Sequence, residues 1–348
     1  MNVLKLLLYP FAAIYNGVMR MRNYLYDIGQ KPSFEFETSI ISVGNLNVGG
    51  SGKTPMVEYL VRLVGDRYPA VILSRGYKRE TTGYRIAASG DSARSMGDEP
   101  WQMFRKFGES VHVAVAEDRL YAIPNILLEF PETRVVILDD ALQQRSIRPH
   151  LSVLLTDGAR PFYRDFLLPF GRLRESRAGA RRADVIVMTK CGRDLSEAEQ
   201  LERASKIRRY AGEKPVFFAA VEYDDPRPTK PGISIPKSVV LVTGIANAGP
   251  MLEHCAARHT VVRHFRYADH HRYTTNDLEE IERYCQAQGP DIALLTTEKD
   301  MSKLDCPEFS GFLDRLPWFT LPIRQVFLKD GSKFDALVHD AIQRTPQP

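Results

Sequence analysis

The chain has 348 residues, 44% hydrophobic and 26% charged, which is enough for about two domains, each with its own core. A formal net charge of only +4 gives a nucleic-acid partner no support, and none is expected. The four cysteines, Cys191, Cys255, Cys285 and Cys306, are widely spaced. That excludes a Cys-x-x-Cys zinc site, argues against a disulfide framework and fits a reducing compartment.

Residues 1–14 are largely apolar, and Arg20 and Arg22 follow them. The run is shorter than the roughly 20 apolar residues of a spanning helix. Its charges lie on the wrong side for a signal peptide. Leu4, Leu7, Leu8, Phe11, Ile14, Tyr15 and Val18 recur at helical spacing. They predict an amphipathic helix that either lies in a membrane interface or packs on the protein's own core.

A strand over 37–43 leads into a glycine-rich turn and a helix over 55–64. Apolar strands follow at 70–74, 111–116, 135–138, 151–155 and 185–189, with a helix over 121–130 that puts Pro124 in its first turn. Alternating strands and helices predict a mostly parallel sheet covered on both faces, with ligands beyond the carboxyl ends of its strands. A charged helix over 196–210 and a proline-rich connection over 224–236 come next. A second α/β run then has strands at 239–243, 260–265 and 292–296 and helices at 249–258 and 276–288. The expected fold class is α/β, with a P-loop domain over 1–215 and a smaller α/β domain over 216–348.

Gly49-Gly50-Ser51-Gly52-Lys53-Thr54 stands between a strand and a helix. Glycines there let backbone N–H groups turn inward around phosphate oxygens, and the helix start adds a favourable dipole. Lys53 can reach the β- and γ-phosphates, and the Thr54 hydroxyl can ligate Mg²⁺. Asn47 occupies the place of the usual first glycine, and asparagine tolerates left-handed backbone geometry. The buried strand ending in Asp139-Asp140 delivers carboxylates to the metal side, Asp139 first and Asp140 with it.

Gly97-Asp98-Glu99-Pro100 reads as a tight turn carrying acidic groups, and Asp269-His270-His271 pairs a carboxylate with imidazoles. Such a pair can orient and deprotonate a hydroxyl. Residues 160–182 hold Arg160, Arg164, Arg172, Arg174, Arg177, Arg181 and Arg182, interleaved with aromatics. This composition suits phosphate recognition and a membrane surface, or else a solvated basic loop.

Taken together the segments resemble the tetraacyldisaccharide 4′-kinase family. The resemblance rests on the P-loop and on Ser74-Arg75-Gly76-Tyr77, Gly97-Asp98-Glu99-Pro100, Leu138-Asp139-Asp140, Gly171-Arg172-Leu173-Arg174-Glu175, Asp269-His270-His271 and Thr297-Glu298-Lys299-Asp300, in that order. It implies ATP and Mg²⁺ as cofactors and phosphoryl transfer to the 4′-hydroxyl of a lipid-linked disaccharide 1-phosphate. It also implies a monotopic seat on the cytoplasmic face of a Gram-negative inner membrane, through the N-terminal helix and the basic-aromatic loop, with no obligate protein partner. Asp98 and His270 become the catalytic dyad, joined across the cleft between domains, with the smaller domain closing over ATP. Arg119 becomes a nucleotide contact, and Tyr77, Arg172, Arg174 and Glu175 substrate contacts. Ala141, Gln144 and Ser176 depart from the family's common residues and bear only on local loop geometry. The competing readings are a P-loop GTPase or metallochaperone, from Thr189-Lys190, and a membrane-associated ATP-binding scaffold.

Overall fold

The computed structural model describes residues 3–345 and the side chains of residues 10–345. The chain divides into two compact units. The first takes residues up to Arg75, Phe107–Val221 and everything from Gln325 on; the second takes Gly76–Lys106 and Glu222–Arg324. This differs from a single cut near residue 215. An excursion between two strands of the first sheet joins the second unit, and the C-terminal strand and helix return to the first.

The first unit is built on a sheet whose strands run in the order Ile323–Phe327, Val216–Tyr223, Val185–Thr189, Leu151–Asp157, Ser39–Asn45, Val135–Asp139, Ala70–Ser74 and His112–Val115. The registered pairs from His112–Val115 across to Val216–Tyr223 are parallel. Ser39–Asn45, Ala70–Ser74, Val135–Asp139 and Val185–Thr189 are buried along their whole length, which explains the largely apolar runs of the last three, while Ser39–Asn45 also buries Ser39, Ser42 and Asn45. Ser39–Asn45 lies between Val135–Asp139 and Leu151–Asp157, so the chain leaves its carboxyl end where its neighbours connect in opposite directions. Such a switch point opens a crevice for ligands.

The helix Arg119–Glu129 starts earlier than its composition suggests, because the Asp118 side chain caps it by accepting from the backbone of Leu120 and Tyr121. Pro124 therefore sits in the second turn, not the first. The C-terminal helix Gly331–Arg344 buries Phe334, and Asp335 accepts a 2.6 Å hydrogen bond from Tyr59.

The N-terminal helix Val3–Asp27 shows an inverted arrangement. Phe11, Ile14, Val18, Met21 and Tyr24 line one face and are each more than half exposed. The polar groups face the protein instead. Tyr15 donates to the carbonyl of Arg174, Arg22 to the carbonyl of Gln143 and Asn23 to Glu175. Arg145 closes the other end on Asp27 at 2.7 Å. Of the two expected packings, burial of the apolar stripe in this chain's own core does not occur over residues 11–24. The side chains of Leu4, Leu7 and Leu8 lie outside the described residues. No helix among the described residues is long and apolar enough to cross a membrane.

The second unit carries a sheet in the order Thr260–Arg266, Ser238–Thr243, Ile292–Thr297, Trp318–Leu321 and Arg227–Pro228, parallel except for the last pair. Apolar clusters cover both faces, one around Phe265, Leu278 and Trp318, the other around Met251, Leu295 and Phe319. Thr274 begins the helix Thr275–Gln288 with a reciprocal cap to Asp277. Asp98-Glu99-Pro100, expected as a tight turn, instead forms the first turn of the helix Asp98–Phe107. Pro100 is tolerated there because no helical partner exists for its missing N–H, and Gly97 makes the turn with φ +93°.

Candidate active site

The phosphate-binding loop leaves the central strand of the first unit and enters the helix Lys53–Val64. Gly52 has φ +80°, and a side chain there would press on Thr189 at 3.3 Å, so the backbone and the space both call for glycine. Two neighbours tie the loop down. Thr189 donates to the carbonyl of Ser51 at 2.8 Å, and Lys190 donates to the carbonyl of Gly50 while pairing with Asp157 at 3.0 Å. Asn47 donates to Asp165 at 2.9 Å, which fastens the loop entry to the 160–175 segment. Two backbone hydrogen bonds join the same two stretches: Val48 N–H donates to the Arg172 carbonyl, and Arg174 N–H to the Leu46 carbonyl.

Asp140 collects the positive charge of this site. Lys53 Nζ stands 3.7 Å from it, and Arg174 grips it with two 3.0 Å hydrogen bonds. Burial pushes the Asp140 carboxyl up, but Lys53 and Arg174 outweigh it, and the group lies below the usual aspartate range. Asp139 accepts from Ser74 at 3.2 Å. Arg119 is buried and donates to the carbonyl of Asp140 at 3.1 Å. Its burial lowers its pKa, opposed by the charges of Asp139 and Asp140.

Thr54, Asp139 and Asp140 are hard oxygen donors of the kind that suits Mg²⁺. Among the described residues no group of three or more His, Cys, Asp and Glu could hold a metal by itself. Magnesium suits such a site, because it is commonly bound by one or two carboxylates together with water and phosphate oxygens.

The arginine-rich stretch is less free than its composition suggests. Arg160 pairs with Asp165, Arg174 with Asp140 and Arg182 with Glu175. Arg177 donates to the backbone of Asp165. Phe162 is fully buried. Arg164, Arg172 and Arg181 remain exposed. Glu175, expected against substrate, faces inward at 1% exposure and accepts from Arg182 (2.7 Å), Gln143 (3.0 Å) and Asn23 (3.2 Å). It locks the N-terminal helix to the loop that carries Arg174. Replacing Glu175 with alanine is expected to destabilise the protein by about 3 kcal/mol, the low end for breaking a buried ion pair. Chemical denaturation checks this; an unchanged midpoint would contradict it.

Asp98 and His270 both lie in the second unit, so they are not joined across two domains. The excursion 76–106 brings Asp98 to the loop after Thr260–Arg266. His270 Nδ1 is 3.0 Å from Asp98 Oδ2. His271 turns away, bonds Asp277 at 3.0 Å and stacks on Tyr267. His270 takes a left-handed backbone, φ +58°, an uncommon conformation for a residue with a side chain. Tyr77 is exposed and sets its ring edge-on to His270 at 5.5 Å. Burial raises the Asp98 carboxyl, but the His270 hydrogen bond and the charges of Lys303 and Lys299 prevail and hold it below the usual range. The pair opens on a cavity of about 320 Å³ that Lys78, Arg94, Arg272 and Lys303 also line.

A family model described as tetraacyldisaccharide-1-P 4′-kinase matches residues 4–343. The chain belongs to the tetraacyldisaccharide 4′-kinase family. It is 37% identical to the tetraacyldisaccharide 4′-kinase of Flavobacterium johnsoniae, with all of both chains covered. It is 40% identical to that of Bacteroides thetaiotaomicron over 85% of this chain and 82% of the relative. A crystal structure of LpxK from Aquifex aeolicus in complex with ATP superposes with a TM-score of 0.76 at 28% identity, covering 98% of this chain and all of the other. As a member of this family the chain is an ATP-dependent kinase, and the GTPase and scaffold readings are not favoured.

Three neighbours of the two sites have no role in the sequence reading. Asp165 acts through hydrogen bonds to distant residues. Ser74 and Lys299 stand inside segments that carry the resemblance, but their contacts show only in the structure: Ser74 donates to Asp139 at 3.2 Å, and Lys299 approaches His270 Nε2 at 3.2 Å.

Proposed function

We propose that this kinase transfers a phosphoryl group to the 4′-hydroxyl of a tetraacyldisaccharide 1-phosphate while seated on the cytoplasmic face of a bacterial inner membrane. The Asp98–His270 pair carries the catalytic half of this reading, because a carboxylate held ionised beside an oriented imidazole can accept a hydroxyl proton. When bound, ATP with Mg²⁺ supplies the γ-phosphoryl group and the charge that neutralises it. Gly49, Gly50, Ser51 and Gly52 present backbone donors to the phosphates, and Lys53 adds a positive charge. Thr54 and Asp139 would hold the metal, with Asp140 beside them. Arg119 braces the Asp140 backbone. Asp98 takes the hydroxyl proton as that oxygen bonds to phosphorus and the bond to the leaving diphosphate breaks with its electron pair. Arg172 and Tyr77 are exposed and available to the anionic sugar, whereas Arg174 is committed to Asp140. Coupled detection of ADP tests the reading. Release that rises with the lipid acceptor, with ATP preferred over GTP, is expected; no rise would leave a nucleotide-binding scaffold, and a guanine preference a GTPase.

The exposed stripe on Val3–Asp27 supports the membrane seat. Combined substitution of Phe11, Ile14 and Val18 by serine is expected to weaken binding to anionic phospholipid vesicles by about tenfold per side chain, since each buries apolar area in the interface. Flotation of vesicles measures this, and unchanged binding would contradict it.

A further inference from the structure

His270 has a partner on each ring nitrogen. Nδ1 faces the Asp98 carboxylate at 3.0 Å, and Nε2 faces Lys299 Nζ at 3.2 Å. A lysine ammonium has three donors and no acceptor, so the nitrogen it meets must offer a lone pair. An ionised carboxylate only accepts, so the nitrogen it meets must carry the proton. Both contacts select the same form of the ring. We propose that Lys299 is a positioning residue that holds His270 as its Nδ1–H tautomer and leaves Asp98 as the one proton acceptor of the pair. This rests on the kinase reading above and goes one step into it.

The ammonium is itself held in place. Glu99 is 3.2 Å from Lys299 Nζ and Asp269 is 3.7 Å away. Burial works against the charged form, but Glu99 and Asp269 overcome it and keep the pKa above the ordinary lysine value. Lys299 is therefore charged throughout the neutral range. A second ring proton would set N–H against N–H and cation against cation at 3.2 Å, and Asp269, 3.9 Å from Nε2, is already shared with Lys299. Lys303, which adds positive charge near Asp98, and the Tyr77 ring also stand beside the pair, and Lys78, Arg94 and Arg272 line the cavity it opens on.

The consequence is a division of labour. With its Nε2 lone pair committed to Lys299, His270 cannot take the hydroxyl proton. Its Nδ1–H instead orients the Asp98 carboxylate. Arginine at 299 would preserve the arrangement, since it too only donates; methionine would abolish it.

The test uses full-length protein labelled with ¹⁵N-histidine in detergent micelles, with the His270 signals assigned by their loss in His270→Asn. At neutral pH the wild type is expected to show a protonated Nδ1 and a bare Nε2. In Lys299→Met the bare-nitrogen signal is expected to be lost, with kcat down about 10²-fold and the KM for ATP nearly unchanged, as for a misplaced catalytic group. Lys299→Arg is expected to restore both the signal and most of kcat. A wild-type ring protonated at Nε2, or a Lys299→Met variant that keeps both the bare Nε2 and kcat, would overturn the proposal. The expected tautomer in a wild type that phosphorylates no lipid would uphold the assignment of the ring and overturn the kinase reading instead.

Discussion

Replacement of Lys53 by alanine is expected to reduce kcat by about 10³-fold, the upper range for removing one preorganised charge from a developing anion. Lys53 opens the helix behind the glycine-rich turn and lies 3.7 Å from Asp140, which Arg174 already neutralises from another side. Arg174 keeps both of its hydrogen bonds to Asp140 when Lys53 is lost, so the change removes stabilisation from the transferred phosphoryl group more than from the fold. In a largely dissociative transition state, positioning and charge do most of the work. Lys53→Arg is expected to recover little, because the planar guanidinium does not reproduce a compact ammonium at the mouth of a tight turn. Single-turnover kinetics with a thermal melt beside them make the check. A kcat within tenfold of wild type would contradict the role, whatever happened to nucleotide affinity.

Asp98→Asn is expected to lower kcat by about 10²–10⁴-fold, the usual range for a general base, and to leave the KM for ATP nearly intact. The amide keeps the shape of the carboxylate but has no basic oxygen. The pH profile carries a second sign. Because the Asp98 pKa is depressed, the carboxylate stays ionised as pH falls through the ordinary aspartate value of about 3.9, and it protonates only below that. The acid limb of kcat due to this group therefore lies below about pH 4 and disappears in Asp98→Asn. An acid limb near neutrality that vanished with His270 but survived Asp98→Asn would move the base to the imidazole.

The phosphate site was legible in the sequence because its parts are local. A buried apolar strand, a run of glycines and Lys53-Thr54 are contiguous, and Asp139-Asp140 end another strand of the same kind. Charge partners were not legible. Seven arginines between 160 and 182 read as a basic surface, yet Asp140, Asp165 and Glu175 engage four of them through their side chains or backbone. Counting charges cannot reveal pairing between residues 34 apart. The choice between His270 and His271 was closed to the sequence for a related reason. The two are adjacent, and only the left-handed backbone at His270 turns one ring to Asp98 and the other to Asp277. The division into units was obscured by Gly76–Lys106 and by the late strand Ile323–Phe327, because chain order says little about which core a segment rejoins.

One measurement bears on the central claim most directly. Purified protein would be incubated with γ-labelled ATP, Mg²⁺ and a tetraacyl disaccharide 1-phosphate in mixed micelles, beside Lys53→Ala. The account predicts label on the lipid at the 4′ position, absent with the variant. Intact ATP binding with no label on the lipid would contradict it.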